Sequence, residues 1–516
     1  MANKNLFSNQ NRGQLVPKTD TVNEAGGRAY AMTPKQALAQ YAATGCLNGT
    51  FYASAEQQLA SVLALCETIE PAFIASTAIY CRERGFMKDM PALLCAVLAV
   101  KDVTLLESIF PRVINNGKML RNFVQIIRSG VVGRKSLGTA PKRMIRKWIV
   151  GACDDALLRA SVGKSPSLAD VIRLAHPKPD DAEREAFLGY LIGRASDTAK
   201  LPWIVRELEA FRRGESADVP DVPFEMLTSL PLSSGDWKGI ARKAPWQMTR
   251  MNLNTFARHG VFDDQDLTLT IATRLADAAA VKKARVFPYQ LLAAYLNTAC
   301  EVPDIVRDAL QDALEVATEN VPAIDGKVYI CPDVSGSMSS PVTGVQKGST
   351  TSVRCIDVAA LVAASIVRKN PSAEVLPFST HVVGVAINRR DSVMTNAGKL
   401  AAIGGGGTTC SAPLADLNRR KAHGDLVVFV SDNESWADPQ NGRGTEMMKE
   451  WNAFRQRNKE ARLVCIDIQP YATTQAASRE DVLNVGGFSD SVFQTVNEFA
   501  AGRLNGQHWV KVIENN

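Results

Sequence analysis

The feature that most limits how this chain can fold is a change of pattern near residue 320. From about residue 34 to 320, short amphipathic segments follow one another. "MTPKQALAQYAA" has Thr33 placed to cap a helix and Pro34 at its first position. "SAEQQLASVLALCETI" sets Leu59, Val62, Leu63 and Leu65 at helical spacing, and "DMPALLCAVLAVK", "DAEREAFLGYLIGRA" and "FPYQLLAAYLNTA" are alike in kind. Pro, Gly and Asn separate them, with no useful β-alternation between. Helices in series without a fixed period predict paired-helix stacking of the α-solenoid type. After "ENVPAIDGKVYICPDVS", strand-like runs alternate with helices: "KVYICPD", "AEVLPFS", "HVVGVAI", "DLVVFVSD" and "RLVCIDI". Continuously apolar strands are buried on both faces, so this part predicts an α/β, doubly wound, Rossmann-like parallel sheet. The expected domains are 1–320, all-α, and 321–516, α/β. The final "HWVKVIE" reads as an added strand or as a tie back to the helical part.

The bulk composition adds limits. Of 516 residues, 46% are hydrophobic and 22% charged, enough to bury a large core. Ten cysteines form no CxxC pair and mostly lie in apolar runs, which reads as small buried side chains. "MANKNLFSNQNRGQ" lacks the apolar centre of a signal peptide, and "MPALLCAVLAV" has about half the length of a membrane span. A soluble, reduced, cytoplasmic protein with no membrane partner is expected.

Three loops follow strand ends in the C-terminal part, where open α/β sheets collect ligands. "DVSGSM" carries Asp333, Ser335 and Ser337. "GGGGTTCSAPL" carries Thr408 and its neighbour Thr409. "VSDNES" carries Asp432. All are hard oxygen donors, the set a small dication prefers: Mg²⁺ first, with Mn²⁺ or Ca²⁺ as alternatives. A phosphoryl-transfer aspartate site would want a second carboxylate where Ser335 stands. A serine hydrolase would need GxSxG and a His partner, and "VSGSM" lacks the first Gly. A two-metal nuclease would need paired acidic clusters. A binding site with no catalytic residues is therefore expected. "DVSGSM" with Thr408 and Asp432 in order resembles the DxSxS signature of von Willebrand factor A domains. That resemblance implies a metal-ion-dependent adhesion site, whose coordination is completed by an acidic residue of a protein ligand. Thr409 stands where some relatives carry Asp.

Residues 108–153 hold Arg112, Lys118, Arg121, Arg128, Arg134, Lys135, Lys142, Arg143, Arg146 and Lys147, without one Asp or Glu. In "KRMIRKW", helical spacing places Arg143, Arg146 and Lys147 along one side. Arg159, Lys164, Arg173 and His176 follow, the last at a helix end. Trp148 reads as helix core. Cations in this density suit phosphate, by counterion release and bidentate arginine donation.

"GRKSLG…KRMIRKW", "LNGTFYASAEQQL" and "DVIRLAHPKP" resemble the TROVE module of Ro ribonucleoproteins, and the order of the two modules is that family's order. The resemblance implies a ring of HEAT-like helical repeats closed by the von Willebrand A domain. It implies binding of small non-coding Y RNAs and of single-stranded RNA 3′ ends, and work with an exoribonuclease in RNA maturation or quality control. It maps an RNA-contacting histidine onto His176 and a basic helix onto Arg143, Arg146 and Lys147. Arg159 and Lys164 match only approximately. The alternative is an assembly adaptor acting through the metal site alone.

Overall fold

Contacts divide the chain into two units, Glu70–Ala317 and a second built from Met1–Ile69 with Thr318–Asn516. The computed structural model describes residues 16–44, 47–179, 181–194, 197–286, 288–319, 321, 323–342, 344, 353–439, 443–469, 471–487, 490–504 and 508–515.

The unit 70–317 is helical, with no strand among its described residues. Its first helices are Pro71–Glu83, Asp89–Lys101, Val103–Val113, Gly117–Ser129 and Thr139–Gly151. Each packs on the helix two places along as well as on near neighbours, as in stacked helix pairs. Side chains define the starts. Asp102 accepts from the backbone N–H of Thr104 and Leu105, and Asn116 from that of Met119. Ser167 and Asp170 form a capping box before Leu168–Ala175. In Asp89–Lys101 every residue from Met90 to Ala99 is buried, so this very apolar helix is packed inside the helical unit. No helix among the described residues is long and apolar enough to cross a membrane. Gly117–Ser129 buries Met119, Leu120, Phe123, Val124 and Ile127, leaving Lys118 and Arg128 outward.

The other unit contains a five-stranded parallel sheet. Its strands are β3 (Val328–Pro332), β4 (Glu374–Val375), β5 (Leu426–Ser431), β6 (Arg462–Asp467) and β8 (Val482–Gly486), in spatial order β4-β3-β5-β6-β8. Every residue of β3 and β5 is buried. Cys355–Lys369 packs on β3 and β5 and on the helix Val393–Ala401. Leu414, Leu417, Met447, Met448, Trp451 and Phe454, from the helices Ala412–Arg419 and Glu446–Arg457, share one core with Val427, Phe429, Leu463 and Cys465 of the sheet. The chain runs outward from β3 in both directions, so the switch in strand order lies at β3 and its ligand crevice at the carboxyl ends of β3 and β5.

Three features depart from the sequence reading. Residues 1–320 were expected in one module, yet the first 69 join the sheet-bearing unit. There β1 (Thr21–Val22) pairs with β2 (Arg28–Ala31), and β2 pairs antiparallel with β7 (Thr473–Thr474). Tyr30 enters the core cluster, and Gln40 on the helix Pro34–Thr44 donates to the Asp467 carboxylate. Two- to four-residue strands carry too little alternation to be seen. "HWVKVIE" follows the second of its two readings: it is a helix, His508–Glu514, that buries Trp509 and Ile513 and ties back to the helix Pro34–Thr44, with Glu514 2.6 Å from Lys35. "HVVGVAI" is irregular except for bridges at Phe378 and Val382. Among the cysteines, Cys153 and Cys300 are exposed rather than buried, and Cys46 lies outside the described residues.

One ion pair anchors the far edge of the sheet. Asp481 accepts from Trp451 Nε1 at 2.8 Å and from Arg479 Nε at 2.8 Å. Burial alone would raise its carboxyl. The Arg479 guanidinium, with Trp451 and Arg455, outweighs burial and holds it below the ordinary carboxylate range. A depressed folded-state value adds stability that is present above the unfolded value of about 4 and is lost as pH falls through the folded one. Asp481→Ala should therefore cost about 3 kcal/mol at neutral pH, by stranding a buried guanidinium. Urea titrations should show that difference shrinking towards pH 3; a difference independent of pH would refute the assignment.

Candidate functional site

The crevice between β3 and β5 holds the oxygen donors. Asp333 leaves the end of β3 and Asp432 the end of β5. Asp333 is 0% exposed, Ser335 1%, Thr408 1%, Asp432 2% and Ser337 6%. The three loops that carry the five expected donors are hydrogen-bonded to one another at this end of the sheet. The loop turns because Asp333 Oδ1 accepts from Ser335 N at 2.8 Å, while Oδ2 accepts from Ser431 Oγ at 2.6 Å. Ser335 and Ser337 present hydroxyls 3.3 Å apart. The glycine loop is tied down by Gly336 N donating to Gly406 O and Gly405 N donating to Val334 O, each at 2.9 Å. Gly405 and Gly406 have φ of 116° and 88°, values that exclude a side chain at little cost only for glycine. Thr408 is set by its carbonyl, which accepts from Ser435 Oγ and from Trp436 N, both at 3.2 Å.

Charge is uncompensated here. Burial, and then the nearby Asp432 charge, push the Asp333 carboxyl up to about 7. Burial raises Asp432. Glu434 and Asp467 are raised by burial and by Asp432. Among the described residues no lysine or arginine pairs with Asp333 or Asp432. Two like charges in a dry crevice are costly unless a cation joins them. No group of three or more His, Cys, Asp or Glu side chains among the described residues is arranged to hold an ion, so hydroxyls would supply the remaining donors. Two carboxylates with serine and threonine hydroxyls fit a small hard dication. Ser431, which orients Asp333, was missed in the sequence although it directly precedes Asp432.

The cationic residues sort into groups. A cleft of about 650 Å³ in the helical unit is lined by Arg128, Lys135, Ser136, Leu137, Gly138, Thr139, Lys142, Arg146 and Leu174, four cations and no acid. The helix Thr139–Gly151 opens into it without a side-chain cap at Gly138, so its first N–H groups add to the positive end. Gly138 has φ 71°, and a Cβ there would lie 2.2 Å from an Arg134 guanidinium nitrogen. That guanidinium braces the loop, donating to Ser136 O at 2.8 Å and Ala99 O at 3.0 Å. Arg146 also donates to the Ala175 carbonyl. Arg173, His176, Lys178 and Arg194 line a second cleft with Glu185. His176 caps Leu168–Ala175 in a left-handed conformation and is exposed.

Other members lie elsewhere. Arg143 does not join Arg146 in the cleft; it pairs with Glu107 at 2.7 Å. Lys147 is exposed one turn further on. Lys118 sits near Lys88. Arg121 is half-buried and donates to Pro166 O at 3.4 Å. Arg159 pairs with Asp155 at 2.8 Å and lines an apolar cleft with Asp221 and Glu225. Arg173 is 3.7 Å from Asp170, and Lys164 is exposed. Acids from other helices thus offset part of the tract's charge. Arg128, Lys178 and Arg194 were missed as site residues; Arg128 stood inside the acid-free tract, whereas the other two are isolated in sequence.

Residues 327–500 match the family model of the Ro60 vWA domain. That segment is a vWA domain of the Ro60 type. The chain is 25% identical over 541 residues to the RNA-binding protein RO60 of Deinococcus radiodurans, covering 96% of this chain and 98% of that one. It is 24% identical over 274 residues to the RNA-binding protein RO60 of Caenorhabditis elegans, covering 50% of this chain and 40% of the other. The crystal structure of the D. radiodurans RO (RSR) protein has the same fold, with TM-score 0.62 and 22% identity over 92% of this chain and 100% of that one.

Proposed function

We propose that this chain is a non-catalytic RNA-binding protein of the cytoplasm. The observation that carries the reading is the acid-free cleft of Arg128, Lys135, Lys142 and Arg146 at an uncapped helix start. Cations there neutralise phosphates and release counterions, and the helix N-terminus adds N–H donors. Relatives named RNA-binding proteins support the same class. The RNAs we infer are small non-coding Y-type RNAs and the 3′ ends of structured or misfolded RNAs, handled with an exoribonuclease partner in maturation or quality control. Shape and single-stranded ends dominate such recognition. Crosslinking followed by sequencing of the bound RNA tests this; recovery of double-stranded DNA in place of RNA would sink it.

A second reading rests on the buried oxygen cluster. Asp333, Ser335, Ser337, Thr408 and Asp432 would hold Mg²⁺, or Mn²⁺ or Ca²⁺ in its place. A bound dication would supply positive charge for a partner protein's acidic side chain. The chain's own residues orient the donors: Ser431 and Ser335 N–H fix the Asp333 carboxylate, and the glycine loop carries Thr408 to it. The two readings use different units and are compatible.

A further inference from the structure

Two of the three site loops are joined by a buried carboxylate outside the expected donor set. Asp438 lies six residues beyond Asp432 on the same loop. Its Oδ1 accepts from Ser411 Oγ at 2.5 Å and its Oδ2 from Ser435 Oγ at 2.6 Å. All three side chains are buried, and among the described residues no lysine or arginine pairs with Asp438. Ser411 stands at the N-cap of the helix Ala412–Arg419, where a serine hydroxyl ordinarily accepts from the first N–H groups. It makes no such bond, and its hydroxyl goes to Asp438 instead. Ser435 Oγ has one proton and two acceptors in reach, Asp438 Oδ2 and, at 3.2 Å, the Thr408 carbonyl. The shorter bond, to the carboxylate, is the stronger. The same Oγ accepts from Cys410 N at 3.0 Å, and the Thr408 carbonyl accepts from Ala437 N at 3.0 Å. Thr408, Cys410 and Ser411 of one loop are thereby fastened to Ser435, Ala437 and Asp438 of the other.

We propose that Asp438 is a positioning residue for the metal pocket, holding the Thr408 loop in register with the Asp432 loop through Ser411 and Ser435. This deepens the metal-binding reading above and rests on it. Asp438 is not itself a donor to the ion, because both its oxygens are taken by the two serines. A buried carboxylate without a cation is costly to keep. The two hydroxyls offset part of that cost, and the arrangement fixes the spacing between the loops of Thr408 and Asp432. Residues that only orient metal ligands commonly account for ten- to a hundredfold in affinity.

Full-length wild type, Asp438→Asn and Ser435→Ala test the proposal, by calorimetric titration with Mn²⁺ and by thermal unfolding without metal. Asp438→Asn removes the charge and keeps one oxygen acceptor. Ser435→Ala keeps the charge and cuts the tie. Each variant should bind Mn²⁺ about tenfold more weakly than wild type. Without metal, Asp438→Asn should unfold at no lower a temperature than wild type, since it removes a buried, unpaired charge. A residue that served stability alone would lose both together, so a lowered metal-free Tm in Asp438→Asn would overturn the positioning role. Wild-type affinity in either variant would overturn it too and leave the metal reading standing; weakening in Asp438→Asn alone would be the through-space effect of its charge. No Mn²⁺ uptake by wild type would overturn both.

Discussion

Asp333→Ala should lower Mg²⁺ or Mn²⁺ affinity by more than about a hundredfold, since even residues that only orient metal ligands cost ten- to a hundredfold. Asp333 supplies one of the two carboxylates in the crevice, and both its oxygens are already oriented by Ser335 N–H and Ser431 Oγ. The sign of the stability change reverses with metal. Without metal, the substitution removes one of two buried like charges, so the variant should unfold at a higher temperature than wild type. With excess Mg²⁺, wild type gains the linkage term RT ln(1 + [Mg²⁺]/Kd) and the variant gains nothing. Calorimetric unfolding with and without Mg²⁺ reads both effects. A Mg²⁺-dependent rise in Tm that persists in Asp333→Ala would place the ion elsewhere. RNA affinity should be unchanged, because the cationic cleft belongs to the other unit.

The second large effect concerns that cleft. Replacing Lys142, Arg143, Arg146 and Lys147 together with alanine should weaken binding of a stem-loop RNA with a single-stranded tail by about thirtyfold at 0.1 M salt, and reduce the slope of log K against log[salt] by about 2. Four charges are removed, yet the expected slope change is smaller. Arg143 is already offset by Glu107, and Arg146 spends one donor on the Ala175 carbonyl. Arg143→Ala alone should therefore change affinity little, and Lys142→Ala with Arg146→Ala, the two of those four positions that line the cleft, should account for much of the loss. Fluorescence anisotropy across a salt series distinguishes these cases. An unchanged slope in the quadruple variant would remove this surface from the RNA path.

Much of this was legible before the fold was known. Long runs such as "LVVFV" and "KVYICP" can only be sheet centre, and the oxygen donors sit at strand ends because topology puts loops there. The oxygen-donor cluster was readable because its five members lie on three short, distinctive loops. The basic tract was readable as composition, but its geometry was not. Helical spacing grouped Arg143 with Arg146, and only the neighbouring helix that carries Glu107 shows that they part. Asn23 and Gln40 left no signal, because their partners Ser435 and Asp467 lie more than 400 residues away in sequence. "HWVKVIE" stayed open between two readings because four apolar residues in six satisfy both periodicities until burial selects Trp509 and Ile513.

The small sheet that joins β2 to β7 makes the helical unit an insertion, and this has a cost in time. Residues 28–44 leave the ribosome early, while Thr473, Asp467 and Gly486, which receive them, are made more than 400 residues later. At about 5–20 residues per second, that interval is on the order of half a minute or longer. Throughout it, Pro34–Thr44 has its neighbour Ala55–Thr68 to rest on, but the side that meets β8 and His508–Glu514 has no native surface. The nascent chain therefore carries a sticky leading helix while the inserted helices assemble, and a chaperone-depleted translation extract is where its aggregation should be worst.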